Sequence, residues 1–122
     1  MGRVKKENAR ERRITYEIIV DAYDEWERAM GWYYYLDGRL RFPFRARCDK
    51  HRAVSPLVKN EEVEVIGLPR EQECAREMFV TVRWRDRALA VPLSQLVVVK
   101  ADPATRQAVA DWHYWVQQSY VF

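Results

Sequence analysis

Glu17, Asp21 and Asp24 are spaced four and three residues apart. On a helix, that spacing places three carboxylates on one face. Glu25 borders the same face, and Asp37 lies further along the chain. Like charges at such spacings repel, and a hard cation relieves the repulsion. Ca²⁺ takes six to eight oxygen ligands from carboxylates, carbonyls and water. A straight helix cannot wrap such an ion, so a second segment or loop carbonyls must complete the shell. Without an ion, the same pattern is a solvated acidic face, with Arg28 placed to neutralise Asp24 at i,i+4. An EF-hand is excluded. Its loop alternates acids before the glycine, whereas Asp37-Gly38 follows Tyr33, Tyr34, Tyr35 and Leu36.

Two other constellations compete. Cys48, His51, Cys74 and His113 are all the cysteines and histidines of the chain, enough for a tetrahedral Zn²⁺ site. Only Cys48 and His51 have ligand-like local spacing, Cys74 and His113 stand alone, and buried thiols with exposed or capped histidines explain the set more simply. Arg41, Arg45 and Arg47 line one expected strand, and Arg83 and Arg85 alternate with Val82 and Trp84 on another. A basic β face with aromatic neighbours can hold single-stranded nucleic acid. Catalytic patterns are thin. There is no glycine-rich phosphate loop and no nucleophile elbow, and two histidines give a triad little to draw on. The expectation is a binding protein, not an enzyme.

The elements that must position these residues follow from periodicity. Ile14, Ile18, Ala22, Trp26, Ala29, Tyr33 and Leu36 keep one helical phase. That predicts a single helix over 12–36, ended by Asp37-Gly38 with Gly38 as a left-handed cap. One rival has a strand over 14–20 and a helix capped by Asp21. Another makes Asp37-Gly38 a hairpin turn. Residues 40–48 alternate as a strand, 61–66 form a second, and 70–77 hold one helical turn. Residues 78–85 and 88–92 form two more strands, and 93–99 turn into a last one. Asp102 then caps a helix that has Pro103 in its first turn and runs to about Gln118. Helix, four to five short antiparallel strands and helix make an α+β fold resembling a small SH3-like barrel.

At 122 residues and 48% apolar composition, the chain reads as a single domain over 1–122. Residues 1–13 carry six basic and two acidic groups, so the remaining 109 carry 15 and 16. The expectation is a near-neutral body with a basic, flexible arm over 1–11. That arm and the arginine-bearing strands could bind nucleic acid or an acidic protein partner, the alternative function. No apolar run reaches the roughly 18 residues of a membrane span, and no leader pattern opens the chain. Two cysteines do not make a disulfide framework, so a cytoplasmic location with free thiols is expected.

Residues 20–36 (VDAYDEWERAMGWYYYL) and 42–48 (FPFRARC) resemble a small bacterial calcium-binding protein family first recognised in cyanobacteria, CcbP. So do 55–57 (SPL), 78–80 (MFV), 90–93 (AVPL) and 111–116 (DWHYWV). The resemblance extends from about residue 10 to 122. It implies a cytoplasmic protein that binds Ca²⁺ through acidic side chains outside any EF-hand, for buffering or signalling. It points to Asp21, Asp24 and Glu25 as ligands, with Glu17 and Asp37 as weaker candidates. This chain departs from an acidic calcium binder in its pI of about 9.0. Arg28, Arg39, Arg41, Arg45 and Arg47 lie near the acids in sequence. Neighbouring cations predict a weakened site, since unit charges about 4 Å apart interact by roughly 4 kcal/mol at an effective dielectric of 20.

Overall fold

The computed structural model describes residues 6–122. Three α-helices, α1 (Asn8–Arg13), α2 (Glu25–Arg39) and α3 (Pro103–Gln117), accompany five strands. These are β1 (Phe44–Cys48), β2 (Glu62–Gly67), β3 (Phe79–Trp84), β4 (Arg87–Pro92) and β5 (Leu96–Lys100). All pairings are antiparallel, in the order β4-β3-β2-β1-β5. The chain meanders from β1 to β4, makes a 3₁₀ turn at Leu93–Gln95, and returns as β5 beside β1. This is the α+β arrangement expected, with the strand order of a small SH3-like barrel. No ladder joins β4 to β5 among the described residues, so the barrel is open along that seam.

The strand alternation reads directly onto the sheet. Phe44, Ala46 and Cys48 are buried, and the arginines between them face outward. Expected strand 40–48 begins only at Phe44, after a cis Phe42–Pro43 bond. The last helix starts as expected: the Asp102 carboxylate accepts from the Thr105 N–H at 2.9 Å, with Pro103 in the first turn. Helices α2 and α3 meet through aromatic rings. The Trp32 ring centroid lies 5.1 Å from that of Trp112 and 5.6 Å from that of Trp115, both edge-on.

The helix expected over 12–36 is not one helix. Helix α1 runs into a π turn at Ile14–Ile18, closed by the Ile19 N–H on the Ile14 carbonyl at 2.9 Å. The chain then turns through residues 19–24, and α2 starts afresh at Glu25. The Asp24 carboxylate accepts from the Glu27 N–H at 2.8 Å, and Glu27 accepts from the Tyr23 N–H at 2.9 Å. The first bond satisfies one free N–H group of α2, that of Glu27, and the second ties the residue before the cap to the first turn, which together fix the start. Neither rival reading holds, since the cap is Asp24 rather than Asp21 and no hairpin forms at Asp37-Gly38. Helix α2 continues through Gly38 to Arg39, and no described glycine has positive φ.

The apolar phase had a different cause. Ile14 and Ile18 are buried by folding the π turn back onto α2, while Trp26 is 47% exposed. Gly31 makes that return possible. A Cβ there would stand well under 3.0 Å from the Ile18 carbonyl oxygen.

Residues 1–5 of the expected basic arm lie outside the described residues. Residues 8–11 belong to α1, which is docked on α3. Arg13 bonds both oxygens of buried Asp111 at 2.8 Å, and Arg10 Nε reaches the same carboxylate at 2.8 Å. The Tyr35 hydroxyl donates to Asp111 at 2.6 Å. Glu11 accepts from the Tyr114 and Tyr120 hydroxyls at 2.6 and 2.8 Å. Arg10 of the arm, and Arg13 just beyond it, are thus committed inside the fold.

Candidate metal centre

The break between the π turn and α2 converts the acidic helical face into an irregular acidic loop. Residues 17–27 hold five carboxylates and no basic residue. Asp21 takes a left-handed backbone (φ 57°), a conformation that Asp and Asn tolerate better than most residues. It is exposed and accepts a long bond from the Tyr23 hydroxyl at 3.4 Å. Asp24 caps α2, Glu25 is its first residue, and both are exposed. Glu25 also lines a small cavity of about 150 Å³ with Arg76 and Phe122. The structure therefore places Asp21 and Asp24 in the turn of residues 19–24, and Glu25 and Glu27 in the first turn of α2. Sequence reading missed Glu27, although Asp24 and Glu27 stand three apart, the spacing of a capping pair.

Glu17 and Asp37 lie elsewhere. Glu17 is in the π turn and pairs with Arg39 at 3.4 Å, at the far end of α2. Asp37 is thirteen residues beyond Asp24, which along a helix is about 20 Å. Asp24 and Asp37 are therefore too far apart to hold one ion. Among the described residues, no three His, Cys, Asp or Glu side chains converge as a metal would gather them. The donor set still suits a hard cation: carboxylates and, within a non-helical loop, backbone carbonyls.

The cations expected to weaken the site mostly point away from it. Arg28 Nε donates to the Phe122 backbone oxygen at 2.6 Å rather than to Asp24. Arg41 pairs with Asp102 at 3.4 Å, and Arg45 with Glu62 at 2.5 Å. Arg83 pairs with Glu64, its cross-strand neighbour, at 3.2 Å. Glutamates thus interleave the arginines of the outer sheet face. That leaves less uncommitted positive charge for phosphate contacts on this face, and nothing in the structure supports a nucleic-acid role.

The zinc reading fails as well. The buried Cys48 thiol donates to the Lys50 carbonyl, and buried Cys74 interacts with the Phe79 backbone. Burial raises the pKa of both thiols, Cys74 to about 11. His113 Nε2 lies 2.6 Å from the Leu96 carbonyl oxygen, so that nitrogen carries the proton. Burial pushes its pKa down, against the pull of that bond.

The sequence profile of the CcbP family, described as calcium binding, matches residues 12–116, and the chain belongs to that family. The crystal structure of Anabaena CcbP is 41% identical, with each chain covered over its whole length and a TM-score of 0.88. A calcium-binding protein solved in its calcium-binding form is 40% identical, with 96% of each chain covered and a TM-score of 0.85. No curated protein matches. No described helix is long and apolar enough to cross a membrane.

Proposed function

We propose that this protein binds Ca²⁺ through the loop leading into α2, with Asp21, Asp24 and Glu25 as carboxylate ligands. In this reading Glu17 and Asp37 do not touch the ion. The ion is held, not used for catalysis, and the role is buffering or signalling in a bacterial cytoplasm. The observation that carries the reading is full-length similarity to calcium-binding relatives, in a chain whose acidic cluster lies on an irregular loop.

Local charge favours the ion despite the basic chain. Geometry sets the affinity, because carboxylates spread along a loop must be drawn together. That ordering costs part of the binding free energy. The expected affinity is therefore weaker than that of a preformed site of equal charge.

The test is calorimetric titration of metal-stripped protein with Ca²⁺, then Mg²⁺, at about 0.15 M salt. It is repeated on Asp21→Asn with Asp24→Asn. Asn caps a helix about as well as Asp and tolerates the same left-handed backbone, so the loop keeps its shape while two charges go. A Ca²⁺-selective isotherm in the native protein, weakened at least about tenfold in the variant, supports the reading. Unchanged affinity in the variant would move the site off this loop.

A further inference from the structure

Glu25 opens α2, and the cavity of about 150 Å³ that it lines holds one cation, Arg76, and no second carboxylate. Ala75, Val121 and Phe122 complete the lining. The side chains of Tyr33 and Tyr34 bring the two charges together. The Tyr33 hydroxyl donates to the Pro69 carbonyl at 2.7 Å, and that of Tyr34 donates to the Glu71 carboxylate. The 3₁₀ turn at Glu71–Cys74 is thereby tied to α2. Buried Cys74 anchors its end, the thiol accepting from the Phe79 N–H at 3.4 Å. Residues 75 and 76 then lie at the first turn of α2, where Glu25 stands.

Neither charge is committed elsewhere. The side chains of Glu25 and Arg76 enter no hydrogen bond or ion pair among the described residues. The carboxylates nearest Arg76 in sequence are taken, Glu73 by Arg70 at 3.9 Å and Glu77 by Arg52 at 2.8 Å. Arg28, the cation nearest Glu25 in sequence, donates to the Phe122 backbone. Both Glu25 and Arg76 are exposed, so their long side chains are free to meet across the cavity.

On the reading that Glu25 is a calcium ligand, we propose that Arg76 is a built-in competitor of Ca²⁺ and sets the affinity of the site. It acts in two ways. Arg76 attracts the carboxylate that the ion needs, and its charge repels a divalent cation brought beside it. The ion binds only as Glu25 leaves its internal partner.

The test is calorimetric titration of metal-stripped protein with Ca²⁺ at about 0.15 M salt. Native protein is compared with Arg76→Gln, Arg76→Lys, Glu25→Gln and the Glu25→Gln, Arg76→Gln pair. Every substituted residue is on the surface, so folding is not at stake. Arg76→Gln should bind Ca²⁺ at least about threefold more tightly, the scale of one exposed charge acting on an ion. Arg76→Lys keeps the charge and should stay near the native affinity. Glu25→Gln should bind more weakly, and adding Arg76→Gln to it should restore little, because the carboxylate they contest is gone. Native affinity in Arg76→Gln would overturn the proposal, as would an unchanged Glu25→Gln. So would an equal gain from Arg76→Gln with and without Glu25, which would reduce Arg76 to one more positive charge. If Asp21→Asn with Asp24→Asn weakens binding while Arg76→Gln strengthens nothing, the loop site stands and the competitor alone falls. If none of these variants alters the affinity, the site lies elsewhere and both readings fall.

Discussion

Gly31→Ala should destabilise this protein, although Gly to Ala inside a helix ordinarily stabilises. The ordinary gain is about 1 kcal/mol. Here the new Cβ would overlap the Ile18 carbonyl oxygen, with the Ile18 carbonyl carbon at 3.3 Å and the Ile19 Cα at 3.5 Å. The obstacle is backbone at the end of the π turn, which cannot rotate aside like a side chain. Overpacking of this kind costs about 1–3 kcal/mol, and a backbone obstacle argues for the upper half. The net expectation is a loss of about 1–2 kcal/mol, or roughly 3–10 °C in Tm for a domain of this size. Gly38→Ala is the control on the same helix: nothing lies within 4 Å of its Cβ, and its φ is not positive. It should be neutral or stabilising, by up to about 1 kcal/mol. Thermal unfolding followed by circular dichroism reads both. The residues displaced by Gly31→Ala lead directly into the loop of Asp21, so Ca²⁺ affinity should fall in that variant and hold in Gly38→Ala. Equal shifts in Tm for the two variants would refute the close-approach argument.

Asp111→Asn should cost about 3 kcal/mol, because it removes the carboxylate that Arg10, Arg13 and Tyr35 all address, and breaking a buried pair is expensive. Urea midpoints check it, and a change below about 0.5 kcal/mol, the scale of an ordinary surface substitution, would show that the cluster pins nothing. Cys48 and Cys74 should resist a thiol reagent at pH 8 in the native state and react after unfolding, since burial keeps both protonated; prompt native-state labelling would contradict that burial. His113 has a folded pKa below its unfolded value of 6.5, so the unfolded chain takes up the proton first. Its contribution is therefore complete above pH 6.5 and declines as pH falls below it. His113→Gln should lose this part of the pH dependence between pH 7.5 and 5.5, and an identical decline in both proteins would assign it to other groups.

The strands and α3 were legible because their determinants are local: alternation, turn residues, and the Asp102-Pro103 start. The N-terminal region was misread because its determinant is a contact 13 residues away in sequence, between Gly31 and Ile18. An unbroken run of apolar spacings cannot tell one long helix from two segments that bury the same residues against different neighbours. The capping pair Asp24 and Glu27 was the local signal of the break. Asp111 was hidden differently. It was read within an aromatic motif, and nothing in the helix pattern announces that two arginines some hundred residues earlier will meet it.

The same break bears on how a chain with a pI near 9.0 could keep a calcium site. Affinity depends on charges within a Debye length and on their geometry, not on the net count. Several of the basic residues here are taken up in cross-strand pairs and in the Asp111 cluster. The acids of residues 17–27 stand in an uninterrupted block. Arg28 sits one turn after Asp24, its backbone N–H on the Asp24 carbonyl at 3.0 Å, yet its guanidinium reaches the Phe122 backbone instead. Arg28→Ala should therefore change Ca²⁺ affinity by less than about threefold, the weak effect of an exposed charge not aimed at the ion. A tenfold gain in the variant would show that Arg28 does restrain the site, and that the chain's basic character is part of how it sets calcium affinity.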